Sequence, residues 1–401
     1  MGIYEVRFVC FFIVHSFFSF FNHHVKAAEL HTYIKATKQH VPLLDNSTGS
    51  LVEVGYMEKG DILKVYKDQG KNWWQIKFGN SYAYVYKGNV ESFKAKAIRG
   101  ENTSLKNSNH TILLMKNQRI YDNSTGKLIP FVTIKGNMRY PIIRKLKDWY
   151  QIDVGGRIGY IHHSKANWDH GVPVLMYHHI LKRSENKNYR NVSTTISDSQ
   201  FYEQMDWLKE NGYETITLQR LEQYVRGKAN IPAKAVVITF DDGLKTSFIY
   251  AYPKLKKLGF KAANFVITGR IPKAPQKFNP DGLQFLSQSE MAAMRDVFTF
   301  ESHTHQLHHL NGKKSYVVIK PYNVVKEDIK RSKDILGARY FAYPFGQYNS
   351  SIIRMLNELD FKLAVTTKEG KVHIGDPLLE IKRLGVYPEY TLKDFSKMVQ
   401  N

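Results

Sequence analysis

The stretch from Val236 to Gly243, Val-Val-Ile-Thr-Phe-Asp-Asp-Gly, narrows the possible folds more than any other. An apolar run of this length, closed by a polar pair and a glycine, predicts a buried strand entering a tight turn. Such a strand sets Asp241 and Asp242 at the carboxyl edge of a sheet, where α/β folds hold their ligands. Adjacent carboxylates in a confined site repel, so one must take up a proton or find a cation. The segment Glu301-Ser302-His303-Thr304-His305-Gln306-Leu307-His308-His309 offers that cation a home. Carboxylate plus imidazole suits zinc or a similar divalent metal, and leaves the second aspartate free to act as a base. Alone, Asp-Asp-Gly reads equally well as an ordinary turn. The histidine cluster decides for a metal site.

Spacing does not choose among the histidines as the chemistry wants. His303 and His308 are five apart, about 140° around an α-helix, whereas His305 and His309 are four apart and share a helical face. A strand ending at Ser302, followed by a loop, would let His303 and His308 converge instead.

Around these motifs, apolar runs and amphipathic segments alternate. Strands are expected at Val172–Tyr177, Ala262–Ile267, Phe298–Ser302, Phe341–Tyr343 and Leu363–Thr366. Helices are expected at Ser197–Asn211, Leu218–Arg226, Ser247–Leu258, Ser287–Arg295, Tyr322–Leu336 and Ser350–Leu359. This order implies a parallel sheet with helices outside.

The motifs carry a family resemblance. Thr239-Phe240-Asp241-Asp242-Gly243, Ser302-His303-Thr304 with His308, and Tyr343-Pro344-Phe345-Gly346 resemble the successive motifs of polysaccharide deacetylases, the NodB-homology or carbohydrate esterase family 4 enzymes. The resemblance spans roughly Gly171 to Val399. The Leu175-Met176-Tyr177-His178 segment is similar to the branch that deacetylates poly-N-acetylglucosamine exopolysaccharide. It implies a distorted, incomplete (β/α) barrel, with Asp242, His303 and His308 on the metal, Asp241 as base and the Phe345 N–H as oxyanion donor. His178, Tyr343, Pro344 and Tyr348 are further candidates for contact with substrate. His178 or Asp241 would protonate the departing amine. The sequence departs from the family pattern twice. Ala342 stands where an arginine usually supports the base, and Leu384-Gly385-Val386, after Arg383, lacks the histidine that serves many relatives as general acid.

Ahead of this region, Glu29 to about Trp168 holds short β-type runs in two copies. Asp45-Asn46-Ser47-Thr48-Gly49 recurs at Asp122–Gly126, an offset of 77, and Trp73-Trp74-Gln75-Ile76 recurs as Trp149-Tyr150-Gln151-Ile152, an offset of 76. Ala83-Tyr84-Val85 recurs as Gly159-Tyr160-Ile161. Such self-similarity indicates duplicated modules. They resemble bacterial SH3-like domains, small barrels that bind cell-wall material, over residues 28–97 and 108–168, with Lys96 to Asn109 as the linker. The deacetylase-like domain then covers 170–401. The expected fold class is multidomain: two small all-β SH3-like barrels followed by an α/β distorted barrel.

Residues 1–27 read as a signal peptide, with an apolar Phe8–Phe21 stretch and small residues near Ala27. The lone cysteine, Cys10, falls inside it. Without that segment 56 basic residues face 35 acidic ones, a net charge of +21. So large an excess points to an anionic neighbour. For an exported protein that neighbour is the wall, a wall polyanion or anionic lipid headgroups, and no nucleic-acid motif is present. The composite expectation is a secreted or wall-associated protein that is not integral to the membrane once its signal is cleaved. It would be a zinc-type N-deacetylase of N-acetylglucosamine polymers. Its rivals are a peptidoglycan or chitin-type deacetylase, and a catalytically weak wall-binding protein.

Overall fold

The computed structural model describes residues 29–47 and 49–400. The expected signal segment lies outside them. Among the described residues no helix is long and apolar enough to cross a membrane.

Seven parallel strands close the carboxyl-terminal barrel. They run in chain order as Val174–Tyr177, Ala235–Phe240, Ala262–Val266, Phe298–Ser302, Tyr340–Ala342, Leu363–Glu369 and Ile381–Gly385. The ring is sealed where the first strand pairs both with the second, Val174 to Val237, and with the last, Leu175 to Leu384. It is thinnest between Phe298–Ser302 and Tyr340–Ala342, which share one register pair, Ser302 to Phe341. The Asp-bearing strand is buried along its whole length, so it is written as an apolar run interrupted only by Thr239. The expected elements are present within a few residues of their boundaries. The strand Ile381–Gly385 and the helix Leu392–Val399 were not anticipated.

The amino-terminal repeats are strand-rich as expected, but they are not two separate barrels joined by a linker. Their hairpins do match: Trp73 pairs with Tyr86 in one and Trp149 with His162 in the other. The strands then join across the repeats, Thr133 to Tyr56 and Val154 to Phe78, so one sheet closes through both copies. A single hydrophobic core runs from Ile34 through Ile76 and Phe131 to Ile161. Joining exposed edges removes unpaired backbone groups that each repeat alone would leave open. The segment expected as a linker is tied down as well. Glu101 accepts hydrogen bonds from Tyr33 Oη and Lys64 Nζ, both 2.6 Å, and Asn102 donates to Asp153.

This unit docks beneath the barrel. Arg139, buried, donates its backbone N–H to the Ile231 carbonyl and Nη2 to the Ala233 carbonyl, each at 3.0 Å, and pairs with Asp169 at 3.3 Å. Asn230 donates to the Phe78 carbonyl and accepts from Asn80 N–H. These contacts meet the amino-terminal end of the strand that delivers Asp241 at its other end. Six residues of strand, about 20 Å, separate the docking face from the aspartates.

Candidate active site

The carboxyl edge of the barrel brings the two aspartates and two of the histidines together. Consecutive strand residues face opposite ways, so two neighbouring carboxylates reach one site only if the chain turns between them. Asp242 makes that turn with a φ of 73°, and Gly243 continues it at 73°. A Cβ at Gly243 would come within 2.9 Å of Val266, so glycine is required there on both counts. Among the described residues six non-glycines have positive φ, and three of them, Asp242, Thr304 and Phe345, lie in this site. Each such residue costs on the order of 1–3 kcal/mol, and such strain gathers where geometry serves function.

Asp241 is buried and gripped by Arg383. Nη1 and Nη2 donate to its two carboxylate oxygens, both at 2.7 Å. The guanidinium is itself oriented by the Thr366 carbonyl at 2.8 Å and Thr239 Oγ1 at 3.1 Å. Burial pushes the Asp241 carboxyl up, but the charge and hydrogen bonds of Arg383 outweigh it and hold the group well below the usual carboxylate range. Arg383 thus fills the place left open by Ala342, from a strand of no expected role. His178 Nε2 stands 3.9 Å from Asp241 Oδ2 with its ring partly exposed. Its neighbour His179 is buried, with Nδ1 at 3.2 Å from Thr195 Oγ1, and burial pushes it down to about 4.

Asp242, His303 and His308 form a triad whose potential ligand atoms all lie within 4.8 Å of one another. Asp242 Oδ1 is 3.6 Å from His303 Nε2 and 3.4 Å from His308 Nε2, and it is buried with no hydrogen-bond partner. His303 Nδ1 lies 2.8 Å from the Ala342 carbonyl, which can only accept, so Nδ1 carries the proton and Nε2 presents its lone pair. Burial pushes His303 down and His308 down to about 3, so both rings are neutral near pH 7. An orphaned carboxylate oxygen facing two neutral imidazoles fits a divalent metal.

The histidine segment is a loop, not a helix, which is why helical spacing fails to identify the pair. Asp328 accepts the backbone N–H groups of His305 and Gln306 at 2.8 and 2.7 Å, and Thr268 Oγ1 holds His305 Nδ1 at 2.9 Å. His305 therefore faces away from the triad, and His309 packs on Tyr316.

The Tyr343–Gly346 turn forms another wall. Phe345 has φ 58° and ψ 18°, and its exposed ring lies 4.4 Å from that of His308. Tyr343 and Pro344, expected to touch substrate, are instead buried. The Tyr343 hydroxyl donates to the Leu379 carbonyl, and Tyr348 stacks on Tyr343 while donating to Glu380 at 2.6 Å. Both phenols are committed to partners within the protein, so they shape the turn from behind.

A parallel barrel whose carboxyl edge joins an ionised aspartate to an Asp-His-His triad defines a hydrolase of the (β/α)-barrel class. Residues 228–364 match the family model described as polysaccharide deacetylase. The chain is 32% identical over 217 residues to a poly-beta-1,6-N-acetyl-D-glucosamine N-deacetylase of Staphylococcus epidermidis, covering 49% of this chain and 73% of the relative. Among solved structures it is similar to the Streptococcus pyogenes deacetylase PplD in complex with acetate, at 27% identity and TM-score 0.51 over 58% of this chain and 99% of that one. It is also similar to IcaB from Ammonifex degensii, at 28% identity and TM-score 0.50 over 58% and 98%. The chain belongs to the polysaccharide deacetylase family and is a hydrolase of carbon–nitrogen bonds other than peptide bonds.

Proposed function

We propose that this chain is an exported, metal-dependent N-deacetylase of N-acetylglucosamine polymers, acting on poly-β-1,6-N-acetyl-D-glucosamine. The observation that carries this reading is Asp241, held ionised by Arg383 beside a triad able to hold a divalent metal. The named activity of the staphylococcal relative supports the choice of polymer.

In this reading Asp242, His303 and His308 hold the metal, zinc by the character of the donor set. When bound, such an ion supplies Lewis-acid polarisation of a carbonyl oxygen and a lowered pKa for water. Asp241 takes the proton of the attacking water, and because Arg383 fixes both of its oxygens it does so in one orientation. The backbone N–H of Phe345 donates to the developing oxyanion. His178, beside Asp241 and partly exposed, gives the departing amine its proton. Residues 28–97 and 108–168, whose repeats resemble SH3-like domains and which fold here as one joined unit, keep the enzyme at the wall, drawn there by the basic excess. Residues 1–27 direct export, and no nucleic acid takes part.

The test is acetate release from poly-β-1,6-N-acetyl-D-glucosamine, chitin oligomers and peptidoglycan, with metal stripped and restored. Release should be fastest from the first and should return with metal. Faster release from peptidoglycan would move the substrate assignment. No release from any of them by metal-replete protein would favour the weakly catalytic wall binder.

A further inference from the structure

Two neighbouring cavities of about 470 and 350 Å³ open along the junction of the repeats, and Lys77, Leu105, Lys106 and Asp153 line both. They form one trough, floored by the hairpin strands of the first repeat and walled by the segment after Lys96. The trough ends at Gly227, on the side of the barrel opposite the aspartates.

The lining is basic and aromatic. Tyr66 is exposed, its ring 4.6 Å from that of Tyr82, with Lys77 Nζ 5.9 Å from its centroid. Lys77 and Lys106 form no ion pair among the described residues, while Lys64 at the other end is neutralised by Glu101 at 2.6 Å. The one carboxylate on the wall, Asp153, is half-buried and lines both cavities; it accepts from Asn102 and from Gly156 N–H and feels the charge of Lys77 nearby. Amide and hydroxyl groups of Asn80, Ser81 and Thr103 complete the rim.

We propose that this trough binds a polyol-phosphate polymer. Lys106, with Lys77 only partly offset by Asp153, leaves the groove an excess of positive charge that attracts a chain carrying one charge per repeat, and an ammonium serves phosphate as a point charge. No arginine lines the trough, so an anion is met there by ammonium point charges and not by a bidentate fork. The exposed face of Tyr66 and amide-rich walls accommodate the hydroxylated carbon chain between phosphates. The position also excludes a catalytic subsite: a bound chain lies at the far end of the strand that carries Asp241. An enzyme held by this trough presents its catalytic edge away from the polymer that holds it. The inference rests on the wall-associated reading above only for where such a polymer would be met.

The test is binding of purified poly(glycerol phosphate) to the full chain, alongside an uncharged N-acetylglucosamine oligomer and inorganic polyphosphate. Lys77→Glu with Lys106→Glu should weaken poly(glycerol phosphate) binding by about tenfold or more, which corresponds to ~1.4 kcal/mol. Tyr66→Ala should weaken poly(glycerol phosphate) more than polyphosphate. Reversing Lys393 and Lys397, on an exposed helix of the barrel, should leave binding unchanged, as a control for non-specific charge. Acetate release from soluble oligomers should be the same in every variant, which separates failure of the trough from failure of the deacetylase assignment. Equal binding by the trough variants and the parent chain, or equal weakening by the control, would overturn the proposal. So would tighter binding of the uncharged oligomer, or no binding of poly(glycerol phosphate) at all. Thermal unfolding of each variant guards against misfolding.

Discussion

Arg383 and Asp241 are 142 residues apart in sequence and meet through two parallel hydrogen bonds of 2.7 Å inside the barrel. A buried carboxylate without a cation would be driven toward its neutral form, so this pair decides whether Asp241 is charged at the working pH. Arg383→Lys keeps the charge and loses the fork. Turnover should fall by about 10²-fold or more, since the carboxylate is no longer held in one orientation. The acid limb of the kcat/KM profile should move to higher pH, because weaker support raises the Asp241 pKa. An unmoved limb would show that another group sets it.

The same pair has a stability signature with a defined sign. The folded pKa of Asp241 lies below its ordinary value of 3.8, so its contribution is present above that value and is lost as the pH falls through the folded pKa. Arg383→Met should lower unfolding stability by about 3–5 kcal/mol near neutral pH, because it strands a buried charge. The deficit should shrink toward acid. Adding Asp241→Asn should recover part of it. Denaturant melts of the single and double variants at pH 7 and pH 3 measure each step.

Asp241→Asn should retain metal yet lose turnover by about 10²–10⁴-fold, as for removal of a general base. Asp242→Asn should lose metal first, with activity partly restored by excess ion. Metal content and rate across a metal titration read both. Rescue of Asp241→Asn by metal, with none for Asp242→Asn, would exchange the two roles. In the same assay His303→Ala and His308→Ala should strip metal, whereas His305→Ala should loosen the loop through Thr268 without emptying the site.

The Asp-bearing strand is legible in the sequence because burial on both faces writes itself as an apolar run, interrupted only by Thr239 and ended by Asp-Asp-Gly. The histidine pair is not legible from spacing, because His303 and His308 sit in a loop pinned by Asp328 and no period governs a loop. Arg383 is hidden for a different reason. In Ile381-Lys382-Arg383-Leu384 a single arginine at an inward position looks like ordinary strand alternation, and its partner is set by barrel closure. It also falls beyond residues 228–364, where the family model matches. The duplication of the amino-terminal modules is plain from the 76-residue offset. That their strands join into one sheet is not, since repeat periodicity says nothing about which edges pair.

The shared sheet changes what shortening the chain would do. Starting it at Gly171 would expose Ile231 and Ala233 and remove the partners of Asn230. The shortened protein should melt at a lower temperature than the full chain, and its metal site, about 20 Å away along the strand, should keep its affinity. In the full chain Arg139→Ala should cost about 1–3 kcal/mol by taking the side-chain donor from the Ala233 carbonyl, while the backbone N–H to Ile231 remains. Calorimetry that finds the barrel transition unmoved by either change would show that the docking contacts carry no stability.

His178 and His179 are adjacent in sequence and differ in surroundings, which gives the sharpest test of the proton donor. His178 is beside Asp241 at 3.9 Å, whereas His179 is enclosed against Tyr189 and Thr195. His179→Gln should therefore act mainly on stability, with metal content and turnover little changed at low temperature. His178→Gln should keep its metal and its fold but lose turnover on acetamides by about 10²–10⁴-fold, because an amine leaves poorly without a proton. An aryl acetate ester separates this role from simple support of Asp241, since a phenolate departs unprotonated. With that substrate His178→Gln should retain most of its rate, while Asp241→Asn should remain impaired, because water must still be deprotonated. Equal losses on amide and ester would assign His178 to holding Asp241 in place, and the proton of the amine would then have to come from Asp241 itself.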